Sequence, residues 1–258
     1  MRILFVGDIV GKPGRKVFSS ALPEARKIEG PFDFVIVNAE NAAGGFGLTA
    51  KIMQELFDIG ADILTSGNHI WDNRDVLPIL DEENRLLRPA NYPSGARGRG
   101  MATFEKKGLK LAVLNLQGRI FMQALDCPFR RADEELMFLE AGVPVLVDIH
   151  AEATSEKRAL ALYLDGRVSA VVGTHTHVQT ADEGILEGGT SFISDVGMTG
   201  GHGGIIGMES ESIISRFLTG MPSKFEVCGK DARMDAVVID IDEKTAKSLT
   251  ITRMSLGT

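Results

Sequence analysis

The sequence repeats one arrangement along its length: a short apolar run rich in Val and Ile, a few polar residues, and then a stretch with helical spacing. The apolar runs cover Ile3–Val6, Phe34–Val37, Ala61–Leu64, Lys110–Leu116, Val143–Ile149 and Ala170–Val172. They are continuous rather than alternating, which is typical of strands that are covered on both faces. Helical stretches fit between them over Gly14–Ile28, Thr49–Ile59, Asp72–Leu80, Asp133–Ala141 and Glu156–Leu164. This alternation predicts a layered α/β fold.

The residues after 233 follow a different pattern. Apolar and polar residues alternate over Met234–Asp242 and over Ser248–Met254, with a short polar turn between them. This pattern predicts an antiparallel hairpin, which we expect on a second sheet. The glycine-rich segment Val196–Gly207 is expected to be irregular. Because the sequence contains no internal repeat and no low-complexity linker, we expect residues 1–258 to form a single domain.

The overall composition excludes some classes of protein. A chain of 258 residues buries roughly three quarters of the surface of its unfolded form, so it needs no metal to fold, and a bound metal would be functional. The net charge of -7 disfavours non-specific binding of duplex nucleic acid. The apolar runs are too short to span a membrane, and no signal peptide is recognisable. With two widely separated cysteines, expected to be reduced, we predict a cytoplasmic protein.

Residues that can bind metals follow five of the apolar runs. In chain order they are Asp8, Glu40, Asn41, Asn68, His69, His150, His175 and His177. The carboxyl ends of strands form the ligand crevice in open α/β sheets, so these side chains are expected at one edge. Each residue also has a simpler interpretation: Asp8 could cap a helix, Asn68 could hold a turn, and any one histidine could lie in the core. Four of the five histidines lie at such ends, which favours a shared site.

This set of residues is too large for one ion that must leave a position open for substrate. Two ions about 3.5–4 Å apart that share a bridging carboxylate would accommodate all of these ligands. We expect Glu40 to be the bridge, because a second candidate ligand lies directly beside it. Oxygen and imidazole ligands without a thiolate suit iron, manganese or zinc.

The motifs that contain these residues resemble those of the calcineurin-like metallophosphoesterases, and in particular the YmdB-type subfamily. The matching segments are residues 6–11 (VGDIVG), 38–41 (NAEN), 65–71 (TSGNHIW), 173–180 (GTHTHVQT) and 194–198 (SDVGM), together with the lone His150. The wider superfamily has a metal-binding histidine two residues after its first aspartate, where this sequence has Val10. Glu40 stands where the superfamily has a bridging aspartate, and Asn41 could fill the position that Val10 leaves open.

The resemblance implies a four-layer α/β/β/α sandwich of two packed mixed sheets flanked by helices. It also implies a dinuclear centre, with iron as the expected metal, manganese as the alternative and zinc as a weaker one. One metal would be bound by Asp8, Glu40, Asn41 and His177, and the other by Glu40, Asn68, His150 and His175. The implied reaction is hydrolysis of cyclic nucleotides, notably 2′,3′-cyclic ones. A hydroxide that bridges the metals would attack phosphorus, and His69 would be the general acid.

Several alternatives stay open. The same scaffold could serve a phosphomonoesterase, or a metal-dependent regulatory protein that turns over slowly; the presence of His69 favours an enzyme. Arginines at positions 97, 99, 119, 130 and 131 could bind nucleotide phosphate or be solvated. The segment 117–133 could be a lid or a subunit contact, so the sequence leaves a homo-oligomer open.

Overall fold

The computed structural model describes residues 1–257. In chain order its strands are β1 (Arg2–Val6), β2 (Asp8–Ile9), β3 (Phe34–Asn38), β4 (Ile63–Thr65), β5 (Met101–Lys106), β6 (Leu109–Gln117), β7 (Val145–His150), β8 (Ala170–Thr174), β9 (Gly184–Ile185), β10 (Ser191–Ile193), β11 (Met198–Gly201), β12 (Ala232–Ile241) and β13 (Ser248–Gly257). The α-helices are α1 (Gly11–Glu29), α2 (Ala50–Ile59), α3 (Leu77–Glu82), α4 (Pro128–Leu136), α5 (Thr154–Leu164) and α6 (Ser210–Thr219).

These strands form two mixed sheets. The first has the order β2-β11-β12-β1-β3-β4, with β13 also paired to β12, and the second has the order β5-β6-β7-β8-β10-β9. Strands β1, β3 and β4 run parallel, as do β6, β7, β8 and β10. The register places Gln117 opposite His150, and His150 opposite Thr174, at the carboxyl ends of β6, β7 and β8.

The core has three apolar layers because each central strand is buried on both faces. Leu4 and Val6 of β1 pack with residues of α1 and α2 on the outer side of the first sheet. The alternate residues Ile3 and Phe5 face the second sheet, where they pack with residues of β6, β7 and β8. The outer face of the second sheet packs against α4 and α5. The molecule is therefore an α/β/β/α sandwich, as the family resemblance implied.

The predicted hairpin forms but lies in another place. β12 and β13 pair antiparallel, and β12 also pairs antiparallel with β1, from Arg2 opposite Asp240 to Val6 opposite Ala236. The hairpin thus belongs to the sheet of the first apolar run rather than to a second sheet, so that expectation was wrong. The segment Val196–Gly207 was also not wholly irregular, since it contains β11, which pairs with β2 and β12.

Two predicted helices differ from the observed ones because of prolines. The helix expected over residues 72–80 is instead a short 3-10 turn, Arg74–Val76, followed by α3, and a further 3-10 turn, Asn68–Trp71, precedes it. Pro78 cannot donate the hydrogen bond that a continuous helix would need there, and it lies in the first turn of α3. The helix expected over residues 133–141 begins at Pro128 and ends at Leu136. Within residues 1–257, no helix combines the length and the apolar character that a membrane crossing requires.

Candidate metal centre

The structure brings the sequence-predicted site residues together where the two sheets meet. Asp8 forms β2 with Ile9, and Glu40 and Asn41 follow β3. Asn68 and His69 follow β4, His150 ends β7, and His175 and His177 follow β8. Asp8, Glu40 and His150 are completely buried. The first sheet therefore supplies the acidic and amide side chains and His69, and the second sheet supplies the other three imidazoles.

The Nε2 atom of His150 lies at the centre of this group. Oε1 of Glu40 lies 3.0 Å from it, Oδ1 of Asn68 lies 3.1 Å from it, and Nδ1 of His175 lies 3.1 Å from it. Ligand atoms about 2.1 Å from one ion, at right angles to each other, would lie about 3.0 Å apart. Glu40, His150 and His175 all present ligand atoms within 4.8 Å of one another. These donor atoms are thus spaced as ligands of a single cation would be.

Asp8, Asn41 and His177 lie beside this group. Nε2 of His177 is 4.0 Å from Oδ1 of Asp8 and 3.3 Å from Nδ2 of Asn41. Oδ1 of Asp8 and Oδ1 of Asn41 are both buried without a hydrogen-bond partner among the described residues. A buried oxygen without a partner is costly, and a cation is one way to satisfy it. This observation, with the oxygen and imidazole donors, means that the residues fit a metal here.

Because Gly67 has no side chain, it leaves room for His150 and Glu40 to approach each other. A Cβ atom at this position would overlap Nε2 of His150 and lie 2.5 Å from Oε2 of Glu40. Any larger residue would therefore occupy the space between the candidate ligands. The same Glu40 oxygen accepts a hydrogen bond of 2.9 Å from the His69 amide, which ties the turn after β4 to the site.

The segment after β8 presents two histidines from an unusual backbone. His175 and His177 have φ angles of 103° and 64°, which few residues with side chains adopt. Between them, Thr176 donates from its amide and its hydroxyl to Oδ2 of Asp195, at 3.0 and 2.8 Å. The same oxygen accepts from Nζ of Lys157 at 2.7 Å in a completely buried ion pair. This ion pair holds the segment in a conformation that its own residues do not favour.

Each of the three imidazoles has one nitrogen engaged outside the centre. Nδ1 of His150 is 2.8 Å from the hydroxyl of Thr174, which donates to Asp148 at 2.8 Å. Nδ1 of His177 donates to the Ile206 carbonyl at 3.0 Å. For His175 the engaged atom is Nε2, which lies 3.2 Å from the Glu152 carboxylate. These contacts leave three nitrogen lone pairs available to a metal, on Nε2 of His150, Nε2 of His177 and Nδ1 of His175. The outer partners of metal-binding histidines commonly fix the tautomer in this way.

The ionisable side chains at the centre shift the pKa values of one another. Burial disfavours the charged form of Glu40, but His150 and the His69 amide outweigh it and lower its pKa to about 2. Burial likewise opposes protonation of His150, but Glu40 and Asp8 outweigh it and raise its pKa to about 9. Burial and the charge of His150 lower the pKa of His175 to about 3. Protonated His150 thus balances the buried carboxylates, and a divalent cation would supply the same balance.

His69 lies beside the candidate ligands and lines a cavity of about 400 Å³ together with Glu40, Asn41, His175 and His177. Its Nδ1 atom is 2.7 Å from Oδ2 of Asp72, and its ring forms a T-shaped contact with the Phe46 ring at a centroid distance of 5.0 Å. The cavity gives solvent and small molecules access to the centre.

The structure adds residues that the sequence reasoning did not assign. Glu152, Asp148, Thr174, Lys157 and Asp195 all act on the candidate ligands from outside the centre, as described above. Thr174 and Asp195 lie within the family motifs GTHTHVQT and SDVGM, and Asp148 lies two residues before His150. Glu152 and Lys157 have no such signal, because their role depends on how α5 and its preceding turn pack.

Comparison with known proteins gives a consistent relationship. The family model described as YmdB-like protein matches residues 4–254. A 2′,3′-cyclic-nucleotide 2′-phosphodiesterase of Bacillus subtilis (strain 168) is 50% identical over 258 residues, which are 100% of this chain and 97% of the relative.

Solved structures agree with this relationship. A hypothetical protein from Thermus thermophilus is 44% identical with a TM-score of 0.94, over 100% of this chain and 99% of that chain. A novel phosphatase from Mycoplasma pneumoniae is 33% identical with a TM-score of 0.94, over 100% and 93%. A 5′-nucleotidase precursor, also from Thermus thermophilus, shares the fold alone, at 13% identity and a TM-score of 0.58 over 100% and 54%. Because the family model spans nearly the whole sequence and the relative from B. subtilis matches half of its residues, the chain belongs to the YmdB-like family.

Proposed function

We propose that this chain is a metal-dependent phosphodiesterase that opens the phosphate ring of 2′,3′-cyclic nucleotides. The relationship to the phosphodiesterase of B. subtilis identifies it as a phosphoric diester hydrolase. The observation that carries the metal dependence is the convergence of Glu40, Asn68 and His175 on Nε2 of His150, at 3.0 to 3.1 Å. Buried oxygens of Asp8 and Asn41 without partners support a second ion beside the first.

The proposed ligands form two sets that share one carboxylate. One ion would be bound by Asp8, Glu40, Asn41 and His177, and the other by Glu40, Asn68, His150 and His175. When bound, such a pair polarises phosphoryl oxygens and lowers the pKa of a bound water toward neutrality. Iron is the metal that we propose, with manganese as the alternative and zinc as a weaker one, as the family resemblance implies. The imidazole, amide and carboxylate donors, without a thiolate, are compatible with all three.

His69 is the proposed general acid. Asp72 engages its Nδ1 atom at 2.7 Å, so Nε2 is the nitrogen that can give a proton to the departing ribose oxygen. The same contact with Asp72 fixes the orientation of the ring. The cavity beside His69 gives the substrate room to bind with its phosphate over the ligands.

The test combines metal analysis with a choice of leaving groups. Protein purified without added metal is analysed for bound ions and assayed on 2′,3′-cyclic AMP before and after chelation, and again after addition of iron or manganese. We expect activity to follow metal content.

His69→Ala should keep the metal and lower kcat for the cyclic nucleotide by about 100- to 10,000-fold. Its effect on bis(p-nitrophenyl) phosphate should be much smaller, because p-nitrophenolate leaves without a proton.

Two results would contradict the proposal. Full activity in metal-free protein would remove the metal from the mechanism. An equal loss on both substrates in His69→Ala would remove His69 as the acid. A parallel assay on 3′-AMP tests the phosphomonoesterase alternative, because such an enzyme would release inorganic phosphate from it. Binding of 2′,3′-cyclic AMP without turnover would indicate the regulatory alternative.

A further inference from the structure

The cavity at the centre has a polar floor and an apolar wall. The floor consists of Glu40, Asn41, His69, His175 and His177. The wall consists of Phe46, Ile206, Met208, Ile213 and Phe225. A phosphate that reaches the floor must carry the rest of its substrate past this wall, so the wall determines what that remainder can be.

Phe46 is presented to the cavity by a glycine turn. The flanking residues Gly44, Gly45 and Gly47 have φ angles of 68°, 101° and 76°, a region that suits glycine. The Ala43 amide donates to the Gly47 carbonyl at 2.9 Å and closes the turn. Phe46 is 37% exposed although it is aromatic, and one side of its ring is set by the contact with His69. The turn therefore holds an exposed aromatic ring next to the proposed acid.

The rest of the wall is fixed as well. Met208 pairs with Ile205 and with Val227 in isolated antiparallel bridges, and the bridge to Val227 connects the segment before α6 to the segment after it. Phe225 is half-buried, with the guanidinium of Arg216 at 5.2 Å from its ring centroid. A Cβ atom on Gly45 would lie 2.9 Å from the Met208 methyl, so the glycine turn packs directly against this part of the wall.

Glu152, Thr176 and His69, three polar residues that line the cavity, already have partners. Glu152 contacts His175, the Thr176 hydroxyl donates to Asp195, and Nδ1 of His69 contacts Asp72. None of the described residues that line the cavity is a lysine or an arginine, so the five arginines considered from the sequence lie outside it. The wall thus offers apolar and aromatic surface, with little to read the hydrogen-bonding edge of a ligand and no side chain to bind a second phosphate.

We infer that this wall is a base-stacking subsite, in which the nucleobase of the substrate packs on the Phe46 ring and its identity is not read. The inference rests on the proposed function. Stacking on an aromatic side chain accepts every base, because each base has a π face. It follows that the four 2′,3′-cyclic nucleotides should differ by less than about 10-fold in kcat/KM, since stacking strength alone distinguishes them.

The test compares a substrate with a base and one without. Glycerol 1,2-cyclic phosphate has the same five-membered phosphate ring and no base. In Phe46→Ala, the ratio of kcat/KM for 2′,3′-cyclic AMP to that for glycerol 1,2-cyclic phosphate should fall about 10-fold or more, mainly through KM for the nucleotide. Phe46→Trp should restore the ratio. Phe138→Ala, at a phenylalanine that is 86% exposed and outside the cavity, is the matched control and should leave the ratio unchanged.

Three outcomes would overturn the inference. If Phe46→Ala lowered both activities equally, the ring would act through His69 rather than on a base. A preference of more than about 100-fold for one base would show that base edges are read. If the wild-type protein hydrolysed neither cyclic phosphate with metal bound, the proposed function would fail and the subsite with it, whereas either of the first two results leaves the proposed function intact.

Discussion

At the residue scale, the site depends on which atom of each side chain faces the centre. His150 and His177 present Nε2, because their Nδ1 atoms are engaged by Thr174 and by the Ile206 carbonyl. His175 presents Nδ1, because its Nε2 atom is engaged by Glu152. A neutral imidazole has one donor and one acceptor nitrogen, so an outer acceptor fixes the nitrogen that remains for a metal. The outer partners are therefore as much a part of the candidate site as the ligands.

Gly67 provides a residue-scale prediction. In Gly67→Ala the new methyl group would overlap His150 and Glu40, so we expect metal affinity to fall by more than about 10-fold. The measurement is calorimetric titration of metal into chelated protein. Gly95→Ala is the control, because no atom lies within 4 Å of a Cβ there, and it should bind metal as the wild type does. Equal affinities in the two variants, with both folded by circular dichroism, would contradict the proposed position of the metal.

At the element scale, α5 and the segment after β8 act together. Lys157 on α5 and Asp195 form a buried ion pair that also fixes Thr176 between the two histidines. Removing one member of a buried pair leaves an uncompensated charge in the interior, which costs more than the pair itself contributes. The helix therefore contributes to the site without touching it.

This arrangement predicts a large effect of Lys157→Met. We expect the free energy of unfolding to fall by about 3–5 kcal/mol, measured by urea denaturation, because Asp195 stays buried without its cation. Lys110→Met is the matched control: Lys110 pairs with Glu140 at 2.8 Å but on the surface, and its loss should leave stability nearly unchanged. The double variant Lys157→Met with Asp195→Asn should recover part of the loss. A single variant as stable as the control would show that the pair is dispensable.

The elements also show what sequence can and cannot predict. The apolar runs located the central strands, and the motifs at their ends located the residues that meet in the structure, because β-branched runs and strand-end positions are local features. Strands β2, β5, β9, β10 and β11 were missed, and all of these except β5 have only two to four residues, which give no periodic signal. Glu152 was missed for another reason: its contact with His175 depends on tertiary packing. The metal ligation and the role of His69 stay predictions.

At the scale of the whole molecule, the candidate centre lies between the two sheets. The first sheet provides Asp8 and Glu40, and the second provides His150 and His175, so a cation held by these residues would connect the sheets as well as bind substrate. A ligand that binds only the folded state raises its stability according to its concentration and affinity.

Metal removal should therefore lower the melting temperature. With free metal at about 1,000 times its Kd the folded state gains roughly 4 kcal/mol, which for a protein of this size corresponds to about 10 °C. Differential scanning calorimetry of metal-loaded and chelated protein measures this shift. Asp8→Asn should reduce the difference between the two forms. A melting temperature that did not change on chelation would mean that the metal binds outside the folded core or does not bind at all.

The pairing of β12 has a consequence for protein synthesis. β12 runs beside β1, and the Gly7 amide next to Asp8 donates to the Asp235 carbonyl, so the first aspartate of the site is held by residues that the ribosome adds more than two hundred codons later. A nascent chain carries Asp8, Glu40 and the histidines long before the sheet that orders them can close. The proposed metal site can thus take its final geometry only after translation has passed residue 241.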